Sequence, residues 1–236
     1  LLLAFSAGQV SKVAVMSAKS TTASPLRARQ EEEKEARRQA ILDAAEAVIK
    51  VHGWEETNFG EIAKRSRLSR SLVYFYFRDR EDLFHAICER GLAQLEQRFV
   101  AALRAHRRGL DQAMAIGRAY LEFSRSDPLH FQVLTRLHGQ HTDLCSDRPS
   151  EQAANERGQH CLEYVVQALA NGVRDGSIRK SIGDPKLTAV SVWAFTHGLI
   201  QIAGQKEPML EKAFGATADR TVEHGFTVLR GALARL

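Results

Sequence analysis

The chain has 236 residues, 44% apolar and 26% charged, with 16 glycines and 5 prolines. These are ordinary globular values, and they exclude collagen-like, low-complexity and highly charged disordered classes. The formal net charge of +5 is confined to residues 64–80, where Lys64, Arg65, Arg67, Arg70, Arg78 and Arg80 face Asp79 alone. A cationic patch held on one short segment is the footprint of a phosphate-binding surface.

In chain order, residues 1–33 are expected to be a disordered N-terminal segment. The chain opens on Leu and its first Met is Met16. Two readings of residues 1–15 stand: a short secretory-type apolar region, or sequence lying ahead of a native start near Met16. The absence of a basic segment before Leu1–Ala7 favours the second. Residues 17–25 are rich in Ser, Thr and Ala and carry no core pattern. Residues 27–38 are charge-dense. They read as a solvated helix extension, or as an arm that lays Arg27 and Arg29 along a DNA minor groove; the four glutamates 31, 32, 33 and 35 favour the extension.

A first helix is predicted from Ile41, Ala45, Val48, Ile49 and His52, which recur at helical spacing, and Gly53 stands where it stops. Asn58 is an N-cap for a short second helix carrying Glu61, Ile62 and Ala63. A turn at 66–68 follows, and Ser69 caps a third helix from Arg70 to Phe77. Val73 and Phe77, four apart, point inward. Arg70, Ser71, Tyr74 and Phe75 point outward, where major-groove base edges would lie. Asp79, with Asp82 three residues on, caps the next helix, and Trp54 and Phe59 complete the small core.

The segments Gly53-Trp54-Glu55-Glu56-Thr57, Glu61-Ile62-Ala63, Leu68 through Phe77 and Arg80-Glu81-Asp82-Leu83 resemble the DNA-binding domain of the TetR family of transcriptional regulators, over roughly residues 40–84. Arg67 stands where the family's turn usually carries Gly, and Arg70-Ser71-Leu72 where it usually reads Lys-Gly-Thr. These departures leave the fold intact and bear on the operator sequence. The resemblance implies an all-α homodimer with an N-terminal helix-turn-helix domain, residues 34–82, and a helical ligand-binding and dimerisation domain, residues 83–236. It also implies duplex operator DNA and a small-molecule effector as partners. The expected DNA-binding residues are Asn58, Ser69, Arg70, Ser71, Leu72, Tyr74, Phe75, Tyr76 and Arg80, with Arg70 on guanine, Leu72 and Phe75 on thymine methyls, and Arg80 as a phosphate clamp.

Beyond Arg80 the pattern predicts helices over about 80–106, 110–126, 129–138, 151–173, 185–203, 209–214 and 219–233, with polar breaks at 139–149 and 204–208. The most apolar stretch, residues 189–204, is interrupted by Ser191, Thr196, His197 and Gln201. It therefore reads as a core helix, and no membrane partner is expected. Small residues Ala189, Ala194 and Gly198, together with the terminal helix bearing Val222, Phe226, Leu229 and Leu233, suit a four-helix interface between two copies. Phe123, Phe131, Leu134, Leu137, Tyr164, Trp193 and Phe195, with His138 or His197 for a polar contact, would line an effector pocket or serve as plain core.

The three cysteines, Cys88, Cys145 and Cys161, are odd in number and far apart, and read as free thiols of a cytoplasmic protein. His138, His141 and Cys145 lack the paired spacing of a structural zinc site, so no metal is expected. Neither phosphate-binding glycine loop, nor a G-x-S-x-G elbow, nor H-E-x-x-H occurs, so neither cofactor nor catalysis is expected. The reading is a ligand-responsive repressor that binds a palindromic operator and is released by a small molecule. The alternatives are a ligand-binding interaction protein without sequence-specific DNA binding and, less favoured, a helical hydrolase or metal enzyme.

Overall fold

The computed structural model describes residues 25–139 and 146–235. The expectations for residues 1–24, and for His141 and Cys145, lie outside the described residues. Among those described, the fold is all-α: α1 Pro25–His52, α2 Phe59–Ser66, α3 Arg70–Tyr76, α4 Arg80–Ala105, α5 Gly109–Ser126, α6 Pro128–His138, α7 Pro149–Asp175, α8 Pro185–Gln205, α9 Glu207–Phe214 and α10 Ala218–Leu233. Packing divides the chain into two units, residues 1–39 and 40–236.

In the first unit, residues 25–33 are helical, as the helix-extension reading of residues 27–38 expected and unlike a disordered segment through residue 33. The turns of α1 here are solvent-exposed and carry local pairs such as Arg29–Glu33 at 3.2 Å. Mixed-sign charges four apart favour helix by neighbour pairing, which accounts for the order.

In the second unit, the rest of α1 buries Ile41, Leu42, Ala45, Val48 and Ile49, while His52 is exposed. Gly53, at φ 78°, ends the helix and donates its N–H to Ile49 at 2.8 Å. The Asn58 side chain accepts from the N–H groups of Gly60 and Glu61 and starts α2. That helix closes in a Schellman turn, in which Leu68 donates to Ala63 and Arg67 to Lys64. Arg67 occupies the left-handed position, φ 57° and ψ 34°. Ser69 caps α3 through Leu72, and Val73 and Phe77 are buried in the core as expected. Truncating Phe77 to Ala would cost about 3–5 kcal/mol. Asp79 and Asp82 form a reciprocal cap: Asp79 accepts from the Asp82 N–H, and Asp82 accepts from the Arg78 N–H.

The long α4 buries Leu83 to Phe99 along one side and packs most extensively against α7 and then α5. The start of α5 lies directly on α7: a Cβ on Gly109 would meet the Gly172 nitrogen at 1.9 Å. Asp175 and Ser177 accept the first N–H groups of α5, from Gly109 and Leu110.

The expected break at 204–208 is shorter than predicted, since α8 continues through Gln205 and α9 starts at Glu207 with Pro208 in its first turn. Nor is α8 simply a core element. Ala189, Val192, Thr196, Ile200 and Ala203 face inward, while Leu187, Val190, Phe195 and Ile202 are exposed. By length and composition it is apolar enough to cross a membrane. Ala189, expected on an interface between copies, is fully buried within its own protomer. Val222, Phe226, Leu229 and Leu233 of α10 are likewise buried. The outward face of α8 and Val228 of α10 are thus solvent-exposed in the protomer.

Because a non-glycine residue in the left-handed region is strained, Arg67→Gly should raise the unfolding free energy by roughly 0.5–1 kcal/mol in urea titrations, and Arg67→Val should lower it by about 1 kcal/mol. A loss of stability in Arg67→Gly would contradict this account of the turn.

Candidate nucleic-acid interface and effector cavity

All six cations of residues 64–80 are exposed: Lys64 and Arg65 on α2, Arg67 in the turn after it, Arg70 on α3, Arg78 in the next turn and Arg80 at the start of α4. On α3 the outward face carries Arg70, Ser71, Tyr74 and Phe75, and Phe75 is 72% exposed. An aromatic ring that open to water, on a helix whose other side is fully buried, has no role in the protomer's own core. Tyr74 leans on Phe59 with ring centroids 4.8 Å apart, and the Arg70 guanidinium lies 5.7 Å from the Tyr74 ring, which aligns the two side chains. Tyr76 is half-buried against Phe75, and Leu72 is half-buried as well. Ser69 and Asn58 use their side-chain oxygens as caps, and Ser69 also bonds Ser71 at 3.0 Å.

Arg80 makes contacts within the protomer. Its Nη2 donates to the carbonyls of Trp54 at 2.6 Å and Glu55 at 3.2 Å, and the guanidinium lies over the Trp54 ring. It fastens the α1–α2 turn to the start of α4 while its side chain stays exposed.

A cavity of about 360 Å³ lies between α4, α5, α6, α7 and α8. Of the expected pocket residues, Leu134, Leu137, His138 and Trp193 line it. The others do not. Phe123 is fully buried in the core beneath Arg98. Phe131 opens onto a separate cleft beside Thr135 and Ile200. The Tyr164 hydroxyl faces away and donates to Glu96 at 3.3 Å. Phe195 is exposed on the far side of α8 from Trp193. His197 stands behind the wall, sharing a 2.8 Å hydrogen bond with the Tyr120 hydroxyl, its ring 4.9 Å from that of His138.

The lining residues that the sequence reading missed include Phe99, Ile116, Tyr120, Cys161 and Thr196. Their signal was helical phase: Ala113, Ile116 and Tyr120 form one stripe on α5, and Ala154, Gly158, Cys161 and Val165 another on α7. Burial, with the nearby His197, pushes the His138 pKa down to about 4, and burial lowers that of His197. Burial raises the Tyr120 hydroxyl and pushes the Cys161 thiol up to about 12. Among the described residues no group of His, Cys, Asp and Glu is placed to hold a metal.

Residues 41–87 match the model of bacterial regulatory proteins of the tetR family, and residues 113–229 match that of the tetracyclin repressor-like C-terminal domain. The chain belongs to the TetR family. Members of this family are DNA-binding transcription factors rather than enzymes, and this chain is such a transcriptional regulator. It is 22% identical over 176 residues to the uncharacterized HTH-type transcriptional regulator YhgD of Bacillus subtilis, covering 75% of this chain and 88% of that one. Its fold is similar to that of FadR from Bacillus subtilis, solved in complex with stearoyl-CoA, at TM-score 0.63 and 17% identity over 82% of this chain and 98% of that one. It is also similar to AibR, solved in complex with isovaleryl coenzyme A and operator DNA, at TM-score 0.60 and 18% identity over 81% and 97%.

In this TetR-family chain, α6 lines the cavity and also contacts α1 and the α1–α2 turn. His130 places Nδ1 2.7 Å from Asp127 and Nε2 3.2 Å from Glu46 of α1, and Glu46 also takes Arg90 at 2.8 Å. Arg136 pairs with Glu55 in the α1–α2 turn. At the other end of the head, Arg148 binds both Asp79 oxygens at 2.9 Å and Glu81 at 3.1 Å. Burial alone would lower the His130 pKa, but the hydrogen bonds and charges of Glu46 and Asp127 outweigh it and hold it above the ordinary value. Burial would raise Glu46, yet His130 and Arg90 hold it below the usual carboxylate range. Gly91 makes this possible, because a Cβ there would come within 2.9 Å of the His130 ring.

A histidine raised in the fold contributes stability that is complete below its unfolded pKa of about 6.5 and is lost as pH climbs through the higher folded value. Between pH 6 and 9 the parent chain should therefore lose its stability advantage over His130→Gln, as followed by urea unfolding at each pH. An advantage that grows with pH would contradict this assignment.

Proposed function

We propose that this chain is a ligand-responsive repressor that acts in the cytoplasm as a homodimer on a palindromic operator. The DNA-reading head is residues 34–82 and the effector and dimerisation body residues 83–236. The observation that carries the reading is α3, which presents Arg70, Tyr74 and an almost bare Phe75 from the centre of the chain's one cationic patch. In this reading α3 lies in the major groove. Arg70 is bidentate to guanine, Phe75 and Leu72 meet thymine methyls, and Tyr74, Tyr76, Ser71 and the capped helix ends at Asn58 and Ser69 meet phosphates. Arg80 supports the head from behind.

Two heads would read half-sites one turn, ~34–36 Å, or a multiple of it, apart. The exposed apolar residues of α8 and α10, Leu187, Val190, Phe195, Ile202 and Val228, supply the interface between copies. FadR with stearoyl-CoA and AibR with isovaleryl coenzyme A and operator DNA support ligand and DNA binding on this fold. The effector fills the cavity and shifts α6, whose buried His130 and exposed Arg136 hold the head. A ligand releases DNA only by the difference in its affinity for the two head placements.

Footprinting on the DNA flanking its own gene should reveal one protected palindrome. Equal protection of unrelated duplexes would overturn the proposal. On that site Arg70→Ala should cost about 1–3 kcal/mol and relax specificity at one position of each half-site, while Phe75→Ala should alter base preference without changing the salt dependence of binding. The two variants behaving alike in a salt titration would contradict the assigned roles. Phe195→Asp, on the outward face of α8, should weaken self-association by roughly 30-fold or more in sedimentation equilibrium. Unchanged association would place the interface elsewhere.

A further inference from the structure

The cavity's own wall restricts what it can hold. Among the described residues lining it there is no Asp, Glu, Lys or Arg. The nearest arginine on α7, Arg157, is committed to Glu89 at 2.8 Å and Glu96 at 2.6 Å on the outer surface. The ionisable groups that do reach the cavity are held uncharged at neutral pH by burial: His138 by a lowered pKa, Tyr120 and Cys161 by raised ones. An ion entering such a space would shed its water and find no counter-charge among the described lining residues. Asn155 and Gln159 add uncharged amides to the lining, and one buried polar group is left open. The Thr196 hydroxyl is 97% buried, lines the cavity and has no hydrogen-bond partner. A buried donor of this kind is stabilised by an acceptor that arrives with the ligand. The volume of about 360 Å³ lies near the lower end of the range for small-molecule sites.

We infer that the effector is an electrically neutral, largely apolar small molecule whose one hydrogen-bond acceptor, a hydroxyl, carbonyl or ether oxygen, meets the Thr196 hydroxyl. This rests on the cavity being the effector site. It excludes free carboxylates, quaternary amines and phosphorylated thioesters as occupants of the cavity itself.

The test uses the full chain and the neutral fluorophore N-phenyl-1-naphthylamine at pH 7.4, displaced by one chain length in four forms: decan-1-ol, decanoate, decyltrimethylammonium and decanoyl-CoA. Decan-1-ol should compete about 100-fold better than each charged form. Gly158 faces the cavity and a Cβ there meets only Leu92 at 3.8 Å, so Gly158→Phe should fill the space and abolish fluorophore binding while the chain stays folded. Thr196→Val should weaken decan-1-ol about tenfold and leave the fluorophore bound.

If Gly158→Phe blocks binding but any charged form competes as well as the alcohol, the neutral-ligand inference is overturned and the effector-site reading survives. If a folded Gly158→Phe still binds the fluorophore, the effector-site reading itself falls. If Thr196→Val leaves the alcohol unaffected, the assignment of the hydrogen bond is overturned.

Discussion

The His130 side chain, clamped between Glu46 of α1 and Asp127 at the start of its own helix, is the interaction on which the arrangement turns. One turn further along α6, Leu134, Leu137 and His138 form a wall of the cavity. The same eleven-residue helix therefore touches the space where a ligand would sit and the helix that carries the head. Such a contact transmits displacement because both of its ends are specific: a charge-assisted hydrogen bond on one side and close apolar packing on the other. The arrangement depends on Gly91, since any larger residue on α4 would push the imidazole off Glu46.

The molecule keeps its two kinds of surface chemistry apart. Charge is concentrated from α2 to the start of α4, where exposed cations stand in high-dielectric water and attract phosphate over a distance set by salt. The cavity is the opposite case. Its described lining holds no Asp, Glu, Lys or Arg, burial shifts His138, Tyr120 and Cys161 toward their uncharged forms, and the buried Thr196 hydroxyl is left without a partner. Ion pairs such as Arg148–Asp79 and Arg136–Glu55 lie between these regions and tie the body to the base of the head.

How much of this the sequence disclosed follows from the range of each interaction. The head was legible almost to the residue, because the caps at Asn58, Ser69 and Asp79, the stop at Gly53 and the strained turn at Arg67 are fixed by neighbours within four positions. What depended on partners far along the chain was not. Arg80 bonds carbonyls about 25 residues away, so its pull toward Trp54 and Glu55 left no local sign. Glu46 and His130 are 84 apart. The cavity was half-legible. Large aromatics were chosen by type, and Leu134, His138 and Trp193 belong to it, but Phe123, Tyr164 and Phe195 fall on other faces of helices whose rotation only packing decides. The same error of phase put Ala189 on an outer face when it lies inside.

The most direct measurement is the coupling between cavity and head: affinity for the DNA flanking the chain's own gene, taken with and without saturating decan-1-ol. The parent chain should bind DNA roughly 5–150-fold more weakly when the cavity is filled. The double variant Glu46→Gln with Arg136→Ala, which unfastens α6 from the head, should show almost no difference while still binding the alcohol. An unchanged DNA affinity in the parent chain, or the same weakening in the double variant, would contradict α6 as the link.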